Sequence, residues 1–353
     1  MSAFRPLHLR RVTVIVVAAS ILVACGDSTT SDDLDPEERV DQAIEELVAM
    51  PGGPPGAIVV LQRGSDRSVH AAGVAEIGAE AEPDVEDHMR IASVSKAFSG
   101  ATALSIVDEG ELSLDDTIAE RLPDLPAAWG EVTLRQMLNH TSGLPDFSES
   151  EAWQDALRAS LEEAPPPSDL WTYVADEPLN FPPGTQYRYS NTDNVGIALM
   201  IEQATGQDYA DALAEHVLEP LGLDETSLPS GTEIPEPFIH GYEVDAEGGY
   251  EEYSNVVAAA WSWSSGGMVS TPADLNDFIR GYVGGELYGD EVRDEQQDLF
   301  VPGGTSDPIG IGDNSASLAL FRYETDCGTV YGHTGNIFGY TQFIVASPDG
   351  SDQ

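Results

Sequence analysis

The chain has 353 residues, 62 of them acidic and 15 basic, for a formal net charge of -47 at pH 7. Charge of that sign and size repels nucleic-acid phosphates and anionic headgroups, which excludes broad binding to nucleic acid or to a membrane surface. A disordered chain can be equally acidic, but 41% hydrophobic residues arranged in several apolar runs are enough to offset chain entropy. The length suits one or two domains, and the acidity reads as a solvated surface of the kind that keeps a protein soluble in concentrated salt.

Arg5, Arg10 and Arg11 precede the apolar stretch from Val12 to Ala24, and no acid occurs before Asp27. Thirteen residues rise only about 20 Å as a helix, against a hydrocarbon core of roughly 30 Å, so residues 1–24 read as a signal peptide rather than a membrane span. The stretch ends in Leu22-Val23-Ala24-Cys25-Gly26, which resembles the bacterial lipobox. That resemblance implies lipidation at Cys25, a polar tether over 25–35 and a place on the outer face of the cell membrane, with ordinary secretion as the alternative and Arg10-Arg11 leaving twin-arginine export open. Cys327 is then left alone in an oxidising compartment, either as a buried thiol or with a partner beyond the end of this sequence.

Asp35-Pro36-Glu37 supplies an N-cap, a proline at the first helical position and acid in the first turn, opening an amphipathic helix to about Met50. Residues 57–62 and 69–74 read as strands joined by a turn at Gly64-Ser65-Asp66. From about Ser93 the period changes: Val94, Ala97, Phe98, Ala101, Leu104 and Val107 mark a buried helix ending at Gly110. Further helices are predicted over 134–139, 152–163, 195–205 and 210–218, and strand character returns after Gly267, most clearly over 330–333 and 341–346. No fixed-period repeat is present.

The histidines at 70, 88, 140, 216, 240 and 333 lack zinc-ligand spacing, there is no C-x-x-C, and neither a G-x-S-x-G elbow nor a phosphate-binding glycine loop occurs. No metal and no cofactor are therefore expected. Only one of the 15 basic residues is lysine, Lys96, three after Ser93. On a helix those positions share a face, so the amine can reach the hydroxyl and activate it, near a helix N-terminus that favours an oxyanion. Chance accounts for a serine at this spacing in roughly 8% of cases. Tyr189 and Asn191 project to one side of an extended segment, a phenol to pass protons and an amide to hold a substrate carbonyl or amide. His333-Thr334-Gly335 closes a strand-like run, where Gly335 lets a substrate backbone approach. Each signal alone has a plainer reading, as a packed tyrosine with a turn asparagine or a structural strand histidine.

In order, Ser93-Val94-Ser95-Lys96, Tyr189-Ser190-Asn191 and His333-Thr334-Gly335 resemble the three motifs of the serine β-lactamase and penicillin-binding protein superfamily. The opening tyrosine and histidine are more similar to the D-alanyl-D-alanine carboxypeptidase and class C β-lactamase branch. Flanking runs match as well, notably the run Leu138-Asn139-His140-Thr141-Ser142-Gly143-Leu144-Pro145, Phe181-Pro182-Pro183-Gly184-Thr185 and the run from Gly266 to Thr271. The resemblance covers about residues 40–353.

It implies an α/β (α+β) fold in which an antiparallel sheet flanked by helices, from 36–90 and 268–353, carries a mostly α-helical domain from 91–267. Ser93 would be the acylated nucleophile, Lys96 its activating amine and Tyr189 the acid and base in turn. Asn191 would hold the substrate amide, and the backbone N–H groups of Ser93 and Asn336 would form the oxyanion hole. His333, Thr334 and Arg322 would bind a terminal carboxylate. The implied substrates are peptidoglycan D-Ala-D-Ala peptides or β-lactams, met by a monomer without nucleic-acid partners and membrane-bound only through Cys25. A β-lactamase or esterase of the same fold is the alternative, as is a non-catalytic penicillin-binding sensor or wall-interacting module. Because an ordinary imidazole titrates near pH 6.5, carboxylate binding by His333 is expected to weaken as pH rises. Pro348-Asp349-Gly350 reads as a hairpin turn with no strand after it, so the sequence is expected to be truncated, leaving Phe343, Ile344 and Val345 on a sticky edge.

Overall fold

The computed structural model describes residues 35–244, 248–302, 314–325 and 328–353. The predicted signal segment, Cys25 and Cys327 lie outside the described residues.

The first helix, Pro36–Ala49, starts as the sequence predicts. The Asp35 side chain accepts from Glu37, and a reciprocal capping box with Glu38 closes the N-terminus. Its buried Val40 and Ile44 pack toward the antiparallel hairpin of Gly56–Arg63 and Asp66–Gly73. The short strand Met89–Arg90 pairs with Val269–Ser270 and delivers the chain into the central helix, Ser95–Asp108. Twelve of its fourteen residues are buried, which marks a helix enclosed on all sides rather than an amphipathic surface helix. Phe98 stacks on Phe278 of the helix Pro272–Gly284 with centroids 3.6 Å apart. A Cβ at Gly100 would fall 1.9 Å from Ala319 Cβ, so only glycine allows this approach.

On the other side the central helix packs on Asn191–Thr205. The predicted helix over 152–163 stops at Ala159, where Ser160 turns extended ahead of the prolines at 165–167. The predicted helix over 210–218 is the α-helix Tyr209–Leu213 continued by a π-helical turn, Ala214–Leu218.

The C-terminal sheet is antiparallel throughout, in the order Tyr340–Ala346, Gly328–Ile337, Phe321–Thr325, Asn314–Ala316, Val301–Pro302. One hydrophobic cluster joins Ile91 and Phe98 to Trp129 and Ile201 among the helices and to Tyr331 and Ile344 in the sheet. The strand 340–346 is less sticky than the sequence suggests: alternation buries Ile344 and leaves Phe343 45% exposed. Nor is the stretch after the turn at 347–350 unpaired. Gln62 and Gln353 exchange backbone hydrogen bonds of 3.1 and 2.9 Å, and Gly64 N donates to Ser351 O, so 351–353 join the first strand.

Candidate active site

Ser93 sits in a single 3-10 turn, Ala92–Val94, immediately before the central helix. Ala92 takes a left-handed φ of 49°, a conformation that costs a non-glycine residue about 1–2 kcal/mol. Tertiary bonds hold it there: Ile91 N donates to Met268 O, and the Gln342 amide donates to Arg90 O at 2.7 Å.

One turn on, Lys96 is 1% exposed and points back at the serine. Its Nζ donates to Ser93 Oγ at 3.0 Å and to Ser265 O at 2.5 Å, and lies 4.9 Å from the centre of the Tyr189 ring. Burial pulls the amine down to about 7, against the opposing pull of Asp146 and Asp193. A lysine so placed is a free base for much of the time at neutral pH, able to take the serine proton.

Tyr189 is the reverse case. Burial pushes its phenol far above the ordinary value, opposed chiefly by the neighbouring Ser93 hydroxyl, although no hydrogen bond of good geometry from the described residues reaches the phenol oxygen. The resting phenol therefore keeps its proton. Asn191 opens the helix Asn191–Thr205, and its amide nitrogen donates to Asp146 Oδ2 and Ser148 Oγ, each at 3.0 Å. Both donors being engaged, its carbonyl oxygen is turned to other use.

The strand Gly328–Ile337 brings up the third motif. Its pairing with Phe321–Thr325 runs from Gly328 to Gly332, and its pairing with Tyr340–Ala346 continues to Ile337. Gly335 has a packing reason of its own. A Cβ there would meet Ile91 O at 2.5 Å and Gln342 Oε1 at 2.8 Å, so the glycine lets the strand close on the turn that carries Ser93. Thr334 is half-buried on that strand and pairs with Phe343, and Asn336 is exposed two positions on.

Two expectations are corrected here. His333 is 1% exposed, with its ring against Phe321 and its Nδ1–H donated to Thr334 O at 2.6 Å. Burial, with Lys96 nearby, pulls the imidazole down to about 3. It is neutral across the physiological range and does not switch charge near neutral pH. Arg322 is not brought to the site. Alternation along Phe321–Thr325 turns it away from Phe321, so that it pairs with Glu324 at 2.8 Å and lies over the Phe300 ring at 4.5 Å. Among the described residues, Lys96 is then the one cationic side chain at the reacting serine.

Sequence reasoning missed four participants: Asp146, which holds Asn191; Ser265, whose carbonyl holds Lys96; and His140 and Asp193, a buried pair behind Tyr189. Asp146 directly follows the run 138–145 that carried the resemblance, and its position was the available signal.

The family described as Beta-lactamase matches residues 40–351. Penicillin-binding protein 4* of Bacillus subtilis is 27% identical over 312 residues, 82% of this chain and 64% of that protein. The D-alanyl-D-alanine-carboxypeptidase/endopeptidase AmpH of Escherichia coli is 26% identical over 280 residues, 78% of this chain and 69% of that protein. Among solved structures, a D-stereospecific amidohydrolase from Streptomyces superposes with a TM-score of 0.79 at 28% identity, covering 88% of this chain and 91% of that one. The chain spans only 61% of the length of another relative, Protein flp of Staphylococcus aureus.

Proposed function

The chain belongs to the beta-lactamase family of serine hydrolases, and from that premise we propose that it hydrolyses the amide bond on the carboxyl side of a D-configured residue through an acyl-enzyme at Ser93, trimming D-alanyl-D-alanine ends of peptidoglycan stem peptides. The observation that carries this reading is the buried, near-neutral Lys96 amine 3.0 Å from Ser93 Oγ. Lys96 accepts the Ser93 proton as Oγ attacks the carbonyl carbon. The Tyr189 phenol gives its proton to the departing amine as the C–N bond breaks, and the Lys96 ammonium over the same ring restores it. Water then attacks the ester, its proton passes to the amine, and Ser93 leaves reprotonated. Asn191 Oδ1 accepts from the substrate amide, while the Ser93 and Asn336 N–H groups receive the oxyanion.

A second reading, a D-amino acid amide hydrolase, is favoured by one observation. With His333 neutral and Arg322 elsewhere, no fixed cation among the described residues waits for a terminal carboxylate. The two are separated by assaying a peptide ending in D-Ala-D-Ala beside the same peptide with a C-terminal amide. The carboxypeptidase reading expects release of D-alanine from the first at the higher kcat/KM, and preference for the amidated peptide establishes the second. Export and lipidation at Cys25 belong to the same proposal, since a tether would hold the site at the cell wall; a lipid mass increment lost in Cys25→Ser tests it.

A further inference from the structure

The run around His140, which the chemistry above leaves unused, is almost wholly buried and is built about an unusual backbone. His140 takes a left-handed φ of 57°, held by Arg188 N, which donates to His140 O at 2.9 Å. That conformation aims its imidazole inward. Nδ1 lies 2.7 Å from Asp193 Oδ2, and the Ser142 hydroxyl donates to the other carboxylate oxygen. On its far side the imidazole meets the Tyr189 ring at 4.5 Å between centroids and shares a small cavity with Lys96 and His333. Asp193 is fully buried, two residues after Asn191. A buried carboxylate is expensive, and apolar packing would fill its place at least as well for stability alone.

We propose that Asp193 and His140 are positioning residues for proton transfer among Ser93, Lys96 and Tyr189: Asp193 fixes the imidazole, the imidazole braces the phenol ring, and the carboxylate supports the ammonium formed when Ser93 gives up its proton. The inference rests on the assignment of those three residues above. Lys96 is faced by Asp146 and His140 from the segment before Phe147, by Asp193 from the helix Asn191–Thr205, by His333 from the sheet, and by Tyr189 and the Ser265 carbonyl. The two carboxylates favour a charged amine, as do the Ser265 carbonyl that accepts from it and the face of the Tyr189 ring. Burial, with Asp146 adding to it, pushes the Asp193 carboxyl well above the ordinary carboxylate range, against the opposing pull of the Ser142 hydroxyl and Lys96, so it is the ammonium formed during acylation that draws the carboxylate out.

The test is the pH dependence of Ser93 acylation by benzylpenicillin, followed by intact mass in the full chain and in Asp193→Asn. Asparagine keeps the shape but not the charge, and turns one of the two acceptor oxygens into an N–H donor. The acid limb of the rate, which follows proton loss from Lys96, is expected at lower pH in the variant by about one unit. A limb that stays in place or moves to higher pH overturns the proposal, whatever the plateau rate. Should Asp193→Asn not fold, Ser142→Ala removes a donor to the same carboxylate and is expected to move the limb the same way by less; an unmoved limb in that variant also overturns it. Absence of any adduct that Ser93→Ala removes from the wild-type chain would instead overturn the underlying assignment.

Discussion

Lys96 sets function against stability in a way that one substitution can expose. The unfolded chain holds the lysine proton up to about 10.5, whereas the folded site releases it at about 7. Below pH 7 both states are protonated and the fold carries the whole penalty of the buried charge, about 5 kcal/mol at roughly 1.4 kcal/mol per unit. Between pH 7 and 10.5 unfolding takes up a proton, so stability rises with pH through that window. Lys96→Met keeps the length of the side chain and removes the charge. It also leaves the Ser265 carbonyl without its donor, a loss of about 1–3 kcal/mol. The variant is therefore expected to be more stable than the parent by about 2–4 kcal/mol at pH 6, and nearly equal at pH 9, where two units of deprotonation have recovered about 3 kcal/mol. Acylation should fall by about two to four orders of magnitude. Denaturant unfolding of both proteins at the two pH values measures the gap. A variant less stable at pH 6, or a gap that does not narrow toward pH 9, would refute the reasoning.

The other predictions concern the third motif. Gly335→Ala places a methyl group against Ile91 O and Gln342 Oε1; it should cost about 1–3 kcal/mol of stability and lower kcat more than it raises KM, because the turn carrying Ser93 is displaced, and an unchanged kcat would contradict the contact. His333 is neutral down to about pH 3, so the ratio of kcat/KM for carboxylated over amidated peptides should stay level from pH 5 to 8; a ratio that falls through pH 6–7 would show a titrating imidazole. Arg322→Ala should leave KM for a carboxylated peptide within twofold, its partners being Glu324 and Phe300, and a tenfold rise would bring that side chain back to the site.

The parts legible in the sequence are those encoded over short spans. The cap at Asp35, the hairpin turn at Gly64 and the three-residue spacing of Ser93 and Lys96 need only local geometry. Contacts that close across long separations left little local trace. His140 meets Asp193 53 positions away, Asn191 meets Asp146 45 away, and Lys96 reaches a carbonyl 169 residues on. The state of His333 escaped for a related reason: its motif gives the residue, but only the packed interior shows that the ring is cut off from water. Arg322 was within reach of simple strand alternation, counted from Phe321, and the resemblance drew attention past it.

The central claim is that Ser93, activated by Lys96, becomes covalently acylated. Intact-mass spectrometry of the purified protein incubated with benzylpenicillin, run as a time course beside Ser93→Ala, tests it directly. A mass increment equal to one penicillin that appears in the parent and is absent from Ser93→Ala is the predicted result. No increment at any time, with the antibiotic left intact in solution, or an increment that persists in Ser93→Ala, would contradict it.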